Sequence, residues 1–504
     1  MVYNSAIPIL ENAMELFLFD NDYKYAVEQI MLMLFPDERP VYPDAPGDGD
    51  RAEIRLFRGR ARDTAVCRIY RGGGVFTGRA VAGRAGYTDE LAQKRLEQRI
   101  IKLSFYRAGV LALGEKPVWG ALSGIRPGKL MSRLLDEGRS DAAAVREFMR
   151  LYDASPERAR LCLDTAHAGL AASASLRESD VCLYVGIPFC PTRCAYCSFV
   201  SQAVEKSMKL LEPFFEALLK DVEATGRAAA ENGLRPVSVY FGGGTPTTLS
   251  AGQLDRLCAA LESGFDLSGL REFTVEAGRP DTITSEKLDV LRRHGVTRIS
   301  VNPQTMSDDV LRSIGRRHSA QDVRDALALV RSFGGFAVNM DLIAGLPEDT
   351  PKRFRYTLEQ VLELEPENVT VHTLALKKGS KITLEGTSLP TARQVGEMLD
   401  AAESELRGAG YAPYYLYRQK FMSGGFENVG WAKRGCDSLY NICIMEELCS
   451  ILAMGGGAST KLVAPGGRIE RFFAPKYPLE YIQGIDKVCA DKKKITEFYE
   501  ETRR

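Results

Sequence analysis

Cys190, Cys194 and Cys197 stand in a C-x3-C-x2-C spacing inside the stretch Phe189-Cys190-Pro191-Thr192-Arg193-Cys194-Ala195-Tyr196-Cys197. Three thiols in one tight loop cannot all pair with one another, so a disulfide framework explains them poorly. They can wrap one face of an iron–sulfur cube, whose irons are held by cysteine thiolates. Three ligands on four irons leave one iron open, and an open metal position marks catalysis more than structural support. Two other readings stay open on these residues alone. Structural zinc usually takes four ligands, commonly as two C-x2-C-type pairs. No second pair stands nearby, and the nearest extra thiol, Cys182, falls inside an apolar strand. A chance group of buried cysteines is the other, since free cysteine often serves as a small core residue.

Further polar residues recur at comparable places. Gly242-Gly243-Gly244-Thr245-Pro246-Thr247 follows an apolar run ending Val239-Tyr240-Phe241. Three glycines let the backbone approach a ligand closely. The run lacks the lysine of a P-loop and the spacing of a dinucleotide fingerprint. Glu276 closes Thr274-Val275-Glu276, Gln304 follows Ser300-Val301-Asn302-Pro303, and Asp341 opens Asp341-Leu342-Ile343-Ala344-Gly345-Leu346-Pro347. Each alone reads as a strand-end cap or ion-pair member; their coincidence points to a shared ligand site.

The elements that must position them alternate. Strands are expected at 181–187, 236–241, 271–276, 297–301, 337–343 and 368–375. Helices are expected at 207–230, 250–263, 284–293, 307–316, 320–333 and 351–364. Leu211, Phe214, Leu218 and Val222 fall on one face of the first helix. Strand–helix alternation means parallel pairing through crossover helices, and six repeats suggest a partial or complete β/α barrel. Chemistry in such barrels gathers at the C-terminal strand ends, where every motif above sits.

Upstream, a helix is expected over Tyr23–Leu34, a Pro/Gly/Asp linker over Pro43–Asp50, strands at 54–57 and 64–69, and a helix over 87–113. Trp119–Lys129 opens another helix, either as a structural elbow, the favoured reading, or as a helix N-terminus whose two basic residues meet an anion, and the chain stays helical to residue 176. Downstream, a helix from 391 to Arg407 and a Tyr-rich strand at 411–417 precede a helix at 443–454 and Gly455-Gly456-Gly457. That glycine run either approaches a ligand or makes a tight turn. Cys436, Cys443 and Cys449 are spaced too loosely for a second cluster and read as core or surface thiols. The domain division is 1–176 accessory, 177–380 barrel and 381–504 extension.

Composition sets outer limits. Over 504 residues, 66 Lys+Arg balance 66 Asp+Glu and 45% of residues are hydrophobic. That is an ordinary globular balance with no basic excess to favour nucleic acid. No run reaches the ~18 apolar residues of a membrane span, and Met1-Val2-Tyr3-Asn4 opens no secretion signal. Eleven cysteines then point to a reducing cytoplasm.

Taken together, Cys190-x3-Cys194-x2-Cys197, the GGGTPT loop, Glu276, Gln304, Arg316 and the DLIAGLP stretch resemble the radical S-adenosylmethionine (SAM) superfamily. Within it the chain is similar to the oxygen-independent coproporphyrinogen III oxidases, in their HemZ-like branch. Tyr414–Lys420 and Asn428–Lys433 also carry that similarity, which spans about 180–465 and, before it, only Trp119–Lys129. The resemblance implies an α/β fold: a partial (β/α)6 TIM-like barrel with an N-terminal α+β accessory domain and a C-terminal α+β extension that covers the substrate.

It also implies a [4Fe-4S] cluster on Cys190, Cys194 and Cys197, with the SAM amine and carboxylate on the fourth iron. Gly243, Gly244 and Thr245 would contact SAM. Glu276, Gln304, Arg316 and Asp341 would hold its ribose, carboxylate and neighbouring groups, and Tyr184, Tyr196 and Ala375 would complete the pocket. In the family, an electron from the cluster cleaves SAM to methionine and a 5′-deoxyadenosyl radical. The radical takes hydrogen from a propionate, CO2 is lost and a vinyl group remains; two SAM are used. A flavodoxin or ferredoxin would supply the electron. The tetrapyrrole carries four propionates, so Lys377, Lys378, Arg418, Lys420, Lys433 and Arg434 are candidate cationic partners. The sequence singles out no further catalytic residue and leaves His372 unassigned. One departure stands out: the oxidases carry another cysteine two residues after the third, where this chain has Phe199. Relatives without it include haem-trafficking proteins.

Overall fold

The computed structural model describes residues 13–36, 38–47, 49–86, 88–197, 202–375, 389–419 and 425–503. Two compact units emerge, 1–162 and 163–504. In the first, strands β1 (Ala13–Phe19), β2 (Arg39–Val41), β3 (Arg51–Arg58), β4 (Arg62–Arg71) and β5 (Gly74–Gly83) form one sheet in the order β2-β1-β3-β4-β5. Helices α1 (Lys24–Leu34) and α2 (Glu90–Leu113) pack with it, burying Leu16, Ile30, Ile54, Cys67 and Phe105 in one core. Each such side chain contributes roughly 1.5–3 kcal/mol by leaving water. The α2 carboxylate Glu97 is buried beneath the Arg58 guanidinium and the Tyr23 hydroxyl, both at 2.8 Å. Burial alone would raise its pKa, but the Arg58, Gln93 and Tyr23 donors overcome that and hold it at about 2. The elbow Trp119–Lys129 turns the chain into α3 (Pro127–Asp136), which is followed by α4 (Asp141–Tyr152). Trp119 is buried.

Helix α5 (Pro156–Ala174) leads to the second unit. Its parallel strands are β6 (Asp180–Ile187), β9 (Arg235–Gly243), β10 (Glu272–Glu276), β11 (Arg298–Ser300), β12 (Ala337–Ala344) and β13 (Asn368–Thr373). They neighbour one another in chain order. Two short strands, β7 (Phe189–Cys190) and β8 (Gln202–Ala203), pair with each other beside β6. The crossovers are α6 (Val204–Glu231), α7 (Ala251–Gly264), α8 (Ser285–Arg293), the pair α9 (Asp308–Ser313) and α10 (Ala320–Phe333), and α11 (Pro351–Glu363). This is the expected partial (β/α)6 barrel. The stripe on α6 is real: Phe214, Leu218 and Val222 are buried and Leu211 is half-buried. Ser250 and Gln253 close a reciprocal cap at the start of α7, satisfying two otherwise orphaned backbone donors.

The C-terminal segment extends the same sheet at both edges. After α12 (Ala392–Gly408) comes β14 (Ala412–Arg418), and then β15 (Glu427–Ala432) runs antiparallel between β13 and β14. Then α13 (Leu439–Glu446) returns the chain to the other edge, where β16 (Ser450–Gly455) lies parallel to β6. Strands β17 (Ser459–Val463) and β18 (Ile469–Phe473) finish that edge, and α14 (Pro478–Gln483), α15 (Ile485–Ala490) and α16 (Lys493–Arg503) follow. The helix expected at 443–454 is therefore corrected to a short helix and a strand. Every residue of β16 is buried, and a continuous apolar run of that length carries no period to separate helix from strand. Gly455 and Gly456 pack against Gly186 and Pro188, so this glycine run makes a close structural approach. It does not line the cavity described next.

Candidate active site

The C-terminal ends of the parallel strands surround a cavity of about 410 Å3. β6 is an almost wholly buried run that delivers the chain to Pro188 and then to the cysteine loop. The loop is held by backbone hydrogen bonds: Ala195 N–H donates to the Ile314 carbonyl at 3.0 Å, and Cys197 N–H donates to the Cys194 carbonyl at 3.2 Å. Cys190 and Cys197 are half-buried and Cys194 is buried; all three line the cavity. Among the described residues, the sulfurs that fall within 4.8 Å of one another belong to a different trio, so these three do not converge on one shared ion.

The glycine loop sits directly beside them. Gly244 N–H donates to the Ile187 carbonyl at 2.8 Å and Thr245 N–H to the Phe189 carbonyl at 2.7 Å. A Cβ on Gly244 would stand well inside 3.0 Å of the Phe189 backbone, and Gly243 has φ +107°, a conformation that side chains rarely adopt. Thr245 Oγ1 donates to Cys190 Sγ at 3.6 Å. From the far side Arg279, itself buried, donates to Thr192 Oγ1 at 3.0 Å and reaches Cys194 Sγ at 3.9 Å, with Asp281 bracing it at 3.0 Å. Two cysteine sulfurs thus already face hydrogen-bond donors.

Glu276 at the end of β10, Gln304 just beyond β11 and Asp341 within β12 line the cavity. Tyr240 donates its hydroxyl to Glu276 at 2.5 Å. Burial pushes the Glu276 pKa up to about 7, with the nearby Asp341 charge adding to it. Burial acts on Asp341 in the same sense, yet the His372 imidazole 3.8 Å away and the Asn339 amide hold its carboxyl below the usual range. Asn302 and Asn339 each donate to it at 2.8 Å. Two carboxylates in one cavity are thus kept in different protonation tendencies. Gln304 takes φ +67°, unusual for a side-chain-bearing residue; its N–H donates to the Asp341 carbonyl at 2.9 Å and its carbonyl accepts from Ile343 N–H at 3.0 Å. Arg316 donates to the Gly278 carbonyl at 3.1 Å and to the Tyr196 hydroxyl at 2.9 Å. Its Nε is buried without a hydrogen-bond partner, a donor left over for an anionic group.

Tyr184, Tyr196 and Ala375 complete the wall, so each residue named for the cluster or for SAM borders one cavity. Sequence reasoning missed Tyr240, Arg279, Asn302 and Asn441 and left His372 unassigned; all five border it too. The signal for Arg279 was present: it lies in Gly278-Arg279-Pro280, just past the strand end at Glu276. The others are marked by which strand face they occupy, which sequence shows poorly.

The cationic candidates divide. Lys377, Lys378, Lys420 and the departure at Phe199 lie outside the described residues. Arg418 donates to the Gly425 carbonyl at 3.0 Å through Nε. Lys433 and Arg434 are corrected: they follow β15, which runs antiparallel to β13, and so reach the opposite strand end from the cavity. Asn368, the first residue of β13, pairs with Ala432. Lys433 Nζ donates to the Glu365 carbonyl at 3.1 Å there.

The residues at the cavity fit an iron–sulfur cluster and SAM: three sulfurs with donors, a glycine cradle, a spare guanidinium donor and carboxylate acceptors. Residues 184–361 match the family model described as the radical SAM superfamily, which agrees with the class that fold and site define. The chain is 39% identical over 391 residues to the oxygen-independent coproporphyrinogen-III oxidase-like protein HemZ of Bacillus subtilis, covering 76% of this chain and 78% of that one. It is 30% identical over 304 residues to the heme chaperone HemW of Haemophilus influenzae, covering 60% and 76%. The solved coproporphyrinogen III oxidase HemN of Escherichia coli, a radical SAM enzyme, superposes with a TM-score of 0.50 at 25% identity, over 64% of this chain and 72% of that one. The chain belongs to the radical SAM superfamily, in the family of the HemZ coproporphyrinogen-III oxidase-like proteins.

Proposed function

We propose that this protein oxidatively decarboxylates coproporphyrinogen III to protoporphyrinogen IX without oxygen. The observation that carries the reading is the convergence of the three loop cysteines, the glycine cradle and the Glu276–Asp341 wall on one cavity beside an aromatic flank. When bound, the cluster and SAM supply one-electron chemistry that ends in hydrogen abstraction from a propionate side chain.

The protein's own residues do the rest. Cys190, Cys194 and Cys197 hold the cluster. Gly243, Gly244 and Thr245 offer backbone groups at the distance only glycine allows. Arg316, whose Nε is buried without a partner, would hold the SAM carboxylate by a charge-assisted hydrogen bond. Glu276 and Asp341 accept ribose hydroxyls, and Gln304 holds the β11 end against β12. Tyr184, Tyr196 and Ala375 close the pocket around the adenosyl group and keep water from it. Tyr415 and Tyr417 give the tetrapyrrole a flat apolar wall, their rings stacked at 6.3 Å. Residues 381–504 cover the substrate, 177–380 carry the chemistry, and 1–176 are an accessory part. A cytoplasmic flavodoxin or ferredoxin would deliver the electron that opens each cycle, each of the two decarboxylations would use one SAM, and the electron left on the substrate radical as CO2 departs would pass to a one-electron acceptor.

The test is an anaerobic assay of reconstituted protein with SAM, reductant and coproporphyrinogen III, followed by mass spectrometry. 5′-Deoxyadenosine together with loss of two CO2 is the expected result. Deoxyadenosine without decarboxylation would leave a radical enzyme acting on another tetrapyrrole, including one that modifies haem. A second reading, haem binding and delivery, is favoured by Phe199 in place of the oxidases' further cysteine and by the His372 imidazole on the cavity wall, a haem-ligating group. Stoichiometric haem binding with no deoxyadenosine, from protein with a full cluster, would select it.

A further inference from the structure

A second group of thiols meets in the interior of the same unit. Cys182 lies in β6, Cys443 in α13 and Cys449 immediately before β16. Cys182 and Cys443 are fully buried and Cys449 is 6% exposed. The three Sγ atoms lie within 4.8 Å of one another, and those of Cys182 and Cys449 are 3.6 Å apart. Val237, Leu439, Tyr440 and Ile451 pack around them.

A disulfide needs about 2.05 Å between sulfurs, and none is formed here. Metal–sulfur bonds of about 2.3 Å set ligand sulfurs around one ion roughly 3.8–4 Å apart. The trio stands close to that arrangement with its thiols already drawn in from three separate segments. No fourth sulfur, imidazole or carboxylate among the described residues joins the group. Structural zinc takes four ligands, whereas thiolates select soft cations that include Cu(I). The ligand is the thiolate, so each cysteine gives up its proton as the ion enters and uptake releases protons to solvent.

We propose that Cys182, Cys443 and Cys449 form a second metal site that takes one thiophilic d10 cation of the Cu(I) type in three-sulfur coordination. The ion ties β6, α13 and the start of β16 together. It thereby fixes Tyr440, whose ring stacks at 4.3 Å on that of Tyr240 in the cavity wall. The site shares no residue with the iron–sulfur loop and does not rest on the reaction proposed above.

The test titrates the full-length protein anaerobically with Cu(I) against a competing chelator, in the wild type and in Cys194→Ala, which removes a loop ligand. Both should retain one Cu(I) per chain and melt at higher temperature with it. Cys443→Ser and Cys449→Ser should each weaken retention by at least about tenfold, while Cys258→Ser, at another buried thiol, should not. Because a serine variant can misfold, alkylation mapping of the wild type gives a second reading: Cu(I) should protect these three cysteines selectively. Equal retention in Cys443→Ser with folding intact, or no retention by the wild type, would overturn the site.

Discussion

On the proposed reading, a guanidinium set against a cysteine that would hold the cluster would change how readily that cluster accepts an electron. Arg279 reaches Cys194 Sγ and is itself held by Asp281. Its positive charge favours the reduced, more negative cluster. Arg279→Gln should therefore lower the reduction potential by tens of millivolts, at about 59 mV per ~1.4 kcal/mol for one electron. Electron paramagnetic resonance at poised potentials measures it, and an unshifted midpoint would refute the role. Glu276 supplies a pH dependence. Its folded pKa of about 7 lies above the ordinary 4.5, so between those values the folded state holds more protons than the unfolded one. Stability must fall as pH rises through that window, by up to about 3 kcal/mol. Glu276→Gln should flatten the change in melting temperature between pH 5 and pH 8; an unchanged slope would remove Glu276 as its source. At this scale the sequence was legible wherever a polar residue bordered an apolar run, as Glu276 and Asp341 do. It was opaque where the face decides, as for Tyr240 and His372, because residue type alone does not say which side of a strand meets the cavity.

Among the elements, the cysteine loop and the glycine loop work as one piece because their backbones are in contact. Gly244→Ala would force a methyl group onto the Phe189 carbonyl beside Cys190, and something must move. The expected outcome is loss of bound iron with a destabilisation of about 1–3 kcal/mol. Iron analysis and a thermal melt check it, and full iron content would show that the loops do not need this approach. The barrel elements were readable because amphipathic helices such as α6 and buried strands such as β6 differ in length and period. Elements outside that rhythm were not. β1 reads Ala-Met-Glu-Leu-Phe-Leu-Phe, rich in helix formers, and its pairing with β2 and β3 overrides that propensity. β5 carries Gly74, Gly78 and Gly83, which blur a strand pattern although Gly78 is where α2 packs closest.

For the molecule as a whole, two units with separate cores predict partial autonomy. Residues 1–162 alone should melt cooperatively, since their buried cluster of Leu16, Ile30, Ile54 and Phe105 is drawn wholly from that unit. Far-UV circular dichroism during heating tests this, and a broad non-cooperative loss of signal would count against it. The balanced charge has its own outcome: with a sequence pI near 6.9, solubility should pass through a minimum close to neutral pH.

The place of β16 beside β6 has a consequence in time. The strand that feeds the cysteine loop receives its outer neighbour only after residue 455 has been made. At about 5–20 residues per second, the ribosome needs roughly 13–54 s to cross the stretch between them. Throughout that interval one long flank of β6 presents bare backbone donors and acceptors, the kind of border that recruits foreign strands. A message truncated anywhere before codon 450 would release a chain with that border permanently open. Such fragments should appear in inclusion bodies, and metal delivery to the loop should follow release from the ribosome.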